Sequence, residues 1–162
     1  MSKPRTIKFE TRLSKEGFKA GGISVDDALK RADASLETLR GPCEAAIDAA
    51  LVQIETRFGA SAADRDTRGF EELHRLSANI IDAAIFARDS GVDKAARALC
   101  QLTGLCQARD AWDWLAVDLH VNALRLLRTA GSSLGRGERE AVVEGLKQVT
   151  RKRVGDPDAV TA

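Results

Sequence analysis

Tyrosine is missing from this chain, and its whole aromatic complement is five phenylalanines and two tryptophans. Strand interiors favour aromatic and β-branched residues, whereas the abundant Ala, Leu, Arg and Glu here suit helices. The composition therefore predicts an all-α fold. Cysteine is sparse as well. Cys43, Cys100 and Cys106 are odd in number, and their spacings fit neither a zinc site nor a redox pair. Their apolar neighbours mark them as buried reduced thiols. No apolar run reaches the ~18–20 residues of a membrane span, and the first residues carry charge where a signal peptide has its apolar core. The expectation is a cytoplasmic protein with no membrane partner.

Net charge is nearly absent too, at a formal +1. No global field calls for nucleic acid. The charge is uneven, however: residues 1–22 hold six basic residues against Glu10 and Glu16. They read as a basic N-terminal arm, a solvated terminus, on a mildly acidic body. Catalytic signatures are also missing. The run Gly131–Gly137 lacks the Lys-Ser/Thr ending of a phosphate-binding loop. No nucleophile elbow is present, and the carboxylates fall mostly opposite the apolar stripes. No metal site and no cofactor is expected.

What is there is a chain of 162 residues, enough for one domain with a real core. Ser24-Val25-Asp26-Asp27 has the form of a helix start. The helix it opens runs to about Arg40, with Val25, Leu29, Ala32, Leu36 and Leu39 on one stripe. Gly41-Pro42 predicts a break, since proline belongs in a first turn. A second helix then spans 42–58, with Ile47, Ala50, Leu51, Ile54 and Phe58 inward. Further periodic stretches predict helices over 69–90, 92–108, 110–129 and 138–153. Residues 60–68 form a loop, and 131–137 a flexible linker. The stretch 110–129 is apolar on more than one side, which predicts the central helix. The expected architecture is an antiparallel helical bundle of five to six helices with a four-helix core, spanning 23–153, followed by a flexible tail at 154–162.

Candidate functional residues are few. His74 lies in Leu73-His74-Arg75-Leu76-Ser77-Ala78. Histidine phosphotransfer domains are four-helix bundles that carry a reactive histidine in a His-x-Leu-Lys-Gly-Ser run. Here His74 and Leu76 match, while Ser77 stands for the lysine and Ala78 for the glycine. Arg75 offers charge but is turned by about 100° from His74 around the helix. His120, among apolar residues, reads as a hydrogen-bonded core or groove histidine. Trp112 and Trp114, about 200° apart on a helix, read as anchors of different core layers or as one core residue and one partner anchor.

A family resemblance sits on Leu76-Ser77-Ala78-Asn79-Ile80, on Ala95-Ala96-Arg97-Ala98-Leu99-Cys100-Gln101-Leu102, and on His120-Val121-Asn122-Ala123-Leu124-Arg125-Leu126-Leu127. The Gly21-Gly22 start and the helix Ala141-Val142-Val143-Glu144-Gly145-Leu146 fit the same pattern. In these pieces the chain resembles the small bacterial chemotaxis protein CheE family. The matching residues are mostly packing residues. The resemblance implies a cytoplasmic helical accessory protein of a two-component or motility pathway, and it carries over no catalytic residue. The expected function is therefore a non-enzymatic interaction module. It would bind a response regulator, a histidine kinase or a scaffold through His74, Arg75, Asn79, Trp114 and Asn122. The alternative is a phosphotransfer protein or phosphate sink using His74. A homodimer is a further possibility.

Overall fold

The computed structural model describes residues 23–60, 65, 69–84 and 90–155. The basic arm at 1–22, most of the loop 60–68 and the tail from 156 onward lie outside these described residues. Five helices occur among them: α1 Val25–Phe58, α2 Phe70–Ala84, α3 Val92–Ala108, α4 Trp114–Ala130 and α5 Arg136–Arg153. The chain divides into two compact units, Met1–Glu37 and Thr38–Ala162.

Within the first unit, the described residues are the start of α1. Ser24 caps it as its sequence predicts. The hydroxyl oxygen accepts the Asp27 N–H at 3.1 Å while its proton goes to the Asp27 carboxylate at 2.8 Å. The apolar stripe here is exposed, with Val25 at 75% and Leu29 at 59% of full exposure, and Leu36 also open. Periodicity identified the apolar face correctly, but not what covers it.

Gly41-Pro42 does not break the helix. α1 continues through both residues as one element of 34 residues. Proline disfavours a helical residue before it chiefly by crowding that residue's Cβ. Gly41 has no Cβ to be crowded. The remaining costs are a missing backbone donor and the ring's crowding of the Thr38 carbonyl, both at exposed positions.

Within the second unit, α3 is the central element. It packs against α2, α4 and α5, and α4 also packs against α5. The short connections α3–α4 and α4–α5 reverse the chain at each step, giving an antiparallel bundle. Val92, Ala95, Ala96, Leu99 and Leu102 of α3 are wholly buried, with Cys106 beside them. The stretch expected at the centre, α4, instead buries Ala116, Val117, His120, Val121, Leu124 and Leu127 and leaves Leu115, Leu119 and Leu126 open. The Leu115, Leu119 and Leu126 side is the one left open among the described residues. The C-terminal half of α1 contributes Ile47, Ile54 and Phe58 to the core. It is tied to α4 by Arg125 on Glu55 and by Arg128 on Asp48 at 2.9 Å, and to α2 by Arg57 on Glu72 at 3.1 Å.

The two ends of α4 also differ from expectation. It begins at Trp114, not at 110, and Asp110 is not its cap. Asp113 caps it, accepting the Ala116 N–H at 3.0 Å. After α4, the Gly-rich 131–137 run is a fastened turn rather than a flexible linker. Arg139 donates to the carbonyls of Gly131 and Leu134, both at 2.8 Å. A Cβ on Gly131 would lie 2.1 Å from the Leu127 carbonyl oxygen, so only glycine fits there.

Candidate functional site

α2 is amphipathic. Leu73, Leu76 and Ile80 point into the bundle, while His74, Arg75 and Asn79 stand on its exposed side. His74 Nδ1 lies 3.2 Å from Thr103 Oγ1 on α3. That hydroxyl has a single proton, which goes to the Cys100 carbonyl at 2.9 Å. With the proton there, Thr103 accepts from the Nδ1–H tautomer of His74, in which Nε2 keeps its lone pair. Among the described residues no group is bonded to Nε2.

The other parts of a phosphoryl site do not converge on this nitrogen. Arg75 is held in a two-pronged grip by Glu72, at 2.7 and 2.6 Å. That contact holds the Glu72 carboxyl below its ordinary value. Ser77, where the motif has lysine, is buried and donates to the Leu73 carbonyl at 2.7 Å. Cys100 next to His74 is half-buried, not buried as its neighbours suggested, and so is Cys43. Burial pushes the Cys100 thiol up, against a weaker pull from Ser77 and Arg97. A raised thiol is a poor nucleophile.

The tryptophans meet each other. Trp112 precedes α4 instead of lying within it, so helical spacing does not apply. Its ring stacks on Phe70 at 3.4 Å between centroids and on Trp114 at 4.6 Å. Arg65 closes the column, 4.9 Å above the Trp114 ring, and pairs with Asp118 at 2.9 Å. The 4.6 Å Trp112–Trp114 pair lies in the range where offset stacks contribute about 0.5–1.5 kcal/mol beyond area burial. The column joins the first turn of α2 to the first turn of α4.

His120 is interior. Its Nδ1–H donates to the Ala116 carbonyl at 2.7 Å, and Nε2 faces the Thr150 hydroxyl of α5 at 3.2 Å. Burial pushes its pKa below the ordinary 6.5, against the opposing bond to Ala116. It works as a polar link between two helices.

Asn122 sits beside leucines that the sequence places together on one side of 110–129, a side expected to be buried and found open. Leu115, Leu119, Asn122 and Leu126 follow one another at four, three and four residues along one side of α4. The leucines are exposed by 54%, 42% and 46%. The signal was present in the two-sided apolar pattern of 110–129, which was read as evidence of deep burial. His74, Arg75 and Asn79 on α2 and Trp114 and Asn122 on α4 thus occupy two helices. The aromatic column connects those helices, and no bond joins His74 to Trp114 or Asn122 among the described residues.

No set of three metal-capable side chains gathers among the described residues, and no described helix is long and apolar enough to cross a membrane. The class that fold and surface define is an all-helical antiparallel bundle with an open leucine face. Compared with protein-family models, curated proteins and solved structures, the chain finds no match.

Proposed function

We propose that this chain is a non-enzymatic protein–protein interaction module of bacterial two-component or chemotaxis signalling. It binds a response regulator, a histidine kinase or a scaffold, in the cytoplasm, through the α4 face Leu115–Leu119–Asn122–Leu126. The single observation that carries the binding role is the exposure of three leucines on one side of a helix whose other side is buried. Grouped exposed leucines mark interaction surfaces more often than scattered ones do. The pathway rests on the likeness to the CheE family in the stretches quoted above.

Each leucine is about half exposed, so covering all three is worth roughly 2–4 kcal/mol. That is well short of the ~8 kcal/mol of a micromolar complex. Polar contacts from Asn122 and from the α2 group His74, Arg75 and Asn79 make up the difference, with Trp114 as an aromatic anchor. A transient signalling contact fits these magnitudes.

The test is binding of receiver and kinase domains from the same gene cluster to the immobilised chain, with Leu119→Glu beside the wild type. At least a tenfold loss of affinity in the variant, with unchanged thermal midpoint, supports the reading. Failure of every signalling domain to bind the wild type, or equal binding by the variant, contradicts it.

One observation favours a second reading, phosphotransfer by His74. Thr103 lies against Nδ1 of the imidazole, and in the Nδ1–H tautomer that pairs with its oxygen Nε2 is the nucleophile. Nε2 would attack the phosphorus of an aspartyl phosphate. The N–P bond forms as the bond to the aspartate oxygen breaks, and the carboxylate leaves. Transfer of label from a phosphorylated receiver domain to the wild type, and not to His74→Ala, is the outcome this reading requires.

A further inference from the structure

α5 buries fewer residues than any other helix: Val143, Leu146 and Thr150 of its 18, where α3 buries nine of 17. Its other attachments are polar and lie towards its two ends. At the N-terminal end Arg139 and Glu138 bond to the backbone of the 131–135 turn. Towards the C-terminal end Thr150 lies over His120, and Arg153 bonds to Asp113. His120 itself is wholly buried. A proton added at Nε2 finds the Thr150 oxygen at 3.2 Å but no counter-charge. The charged and titratable groups of the surrounding helices are already engaged. On α4, one Asp113 oxygen accepts the Ala116 N–H and the other accepts from Arg153. Asp118, turned about 200° from His120 around α4, holds Arg65. On α5, Glu144 and Lys147 pair with each other in solvent. On α3, Arg109 lies against Gly155, and burial pushes the Cys106 thiol up, so it stays neutral.

We propose that α5 opens from the bundle as a unit, hinged at the 131–135 turn, and that protonation of His120 drives the opening. Lifting the C-terminal half of α5 takes Thr150 away from Nε2 and admits water to the ring. A charged imidazole is costly in the closed form, where it is buried without a carboxylate, and is hydrated in the open one. The open ring takes up its proton at the ordinary 6.5, whereas burial holds the closed ring lower. Opening therefore binds a proton. It becomes more favourable as pH falls below about 6.5, and levels off beneath the closed value. Asp113 stays ionised over this range, because its carboxyl is held below 3.8. The pH dependence thus belongs to His120. The device uses α4, α5 and the turn between them, and it is independent of the α4 leucine face and of any signalling partner.

Hydrogen exchange of the full chain, read by mass spectrometry from about pH 7.5 to about pH 5, spans the ordinary histidine range and tests this. Each rate is divided by its intrinsic value at that pH. Protection of α5 is expected to fall by up to about tenfold per pH unit below the ordinary histidine value, while α3 holds its protection. His120→Gln keeps a polar side chain but takes up no proton in this range, and is expected to flatten the α5 profile. The chain has one other histidine, the exposed His74. His74→Gln is expected to leave the α5 profile unchanged, and it carries the attribution if the His120 variant fails to fold. Protection of α5 that does not depend on pH overturns the proposal. So does loss of α3 and α5 protection together, a slope that persists in His120→Gln, or one that vanishes in His74→Gln.

Discussion

His74 Nδ1 and Thr103 Oγ1 face each other at 3.2 Å across the α2–α3 seam, and the hydroxyl proton is already given to the Cys100 carbonyl. With the proton there, the threonine oxygen pairs with the Nδ1–H tautomer of an exposed histidine. Nitrogen-15 spectra of the imidazole are expected to show the Nδ1–H form in the wild type and a mixture of tautomers in Thr103→Val. If His74 accepts phosphate, its labelling falls about tenfold in that variant, the size expected for losing one orienting hydrogen bond of about 1.4 kcal/mol. A wild-type ring protonated on Nε2 would contradict the assignment.

His120 gives a pH dependence with a definite sign. Burial lowers its folded pKa below the ordinary 6.5, so the unfolded chain binds the proton first. Its contribution to stability is level above about pH 6.5. It falls as pH drops below that value, then levels again beneath the lowered folded value. Urea midpoints across this range check it, with His120→Leu removing the slope that belongs to this residue. Thr150→Val leaves buried Nε2 without its hydroxyl partner and is expected to cost about 1–3 kcal/mol.

The bundle's interior was largely legible in the sequence, and its surface was not. The bounds of α3 follow from Gly91 and the wide apolar face after it, and the α2 stripe of Leu73, Leu76 and Ile80 points inward as its spacing requires. Three readings failed for distinct physical reasons. Gly41 has no Cβ for the Pro42 ring to crowd, and the helix runs on through both. Trp112 lies before its helix, so the two tryptophans stack instead of diverging. Apolar faces on α1 and α4 show where burial is possible, but a single chain cannot say whether its own residues supply the cover. His74 was legible as a residue type, whereas the hydroxyl that sets its tautomer comes from α3, 29 residues later.

The α3 core predicts the largest losses. Leu99 and Leu102 are both wholly buried at the contact with the other helices. Either leucine replaced by alanine is expected to cost about 2–5 kcal/mol, read as a lowered denaturation midpoint. The exposed Leu119→Ala, by contrast, stays within about 0.5–1 kcal/mol.

Asp113 caps α4 and bonds to Arg153 of α5 at 2.6 Å. Partial burial pushes its carboxyl up, but the bonds from Arg153 and the Ala116 N–H outweigh this and leave it below the ordinary 3.8. Its stabilising effect is therefore full above about pH 3.8 and fades as pH falls through the lowered folded value. Asp113→Ala is expected to cost about 1 kcal/mol at neutral pH. The difference between variant and wild type should shrink in acid.

The open leucine face of α4 is the centre of this account, and leucine-methyl NMR during titration with a receiver or kinase domain tests it most directly. The account predicts that the methyls of Leu115, Leu119 and Leu126 shift and broaden first, while those of buried Leu99 and Leu102 hold their positions. Saturating binding that leaves the three α4 methyls unmoved would contradict it.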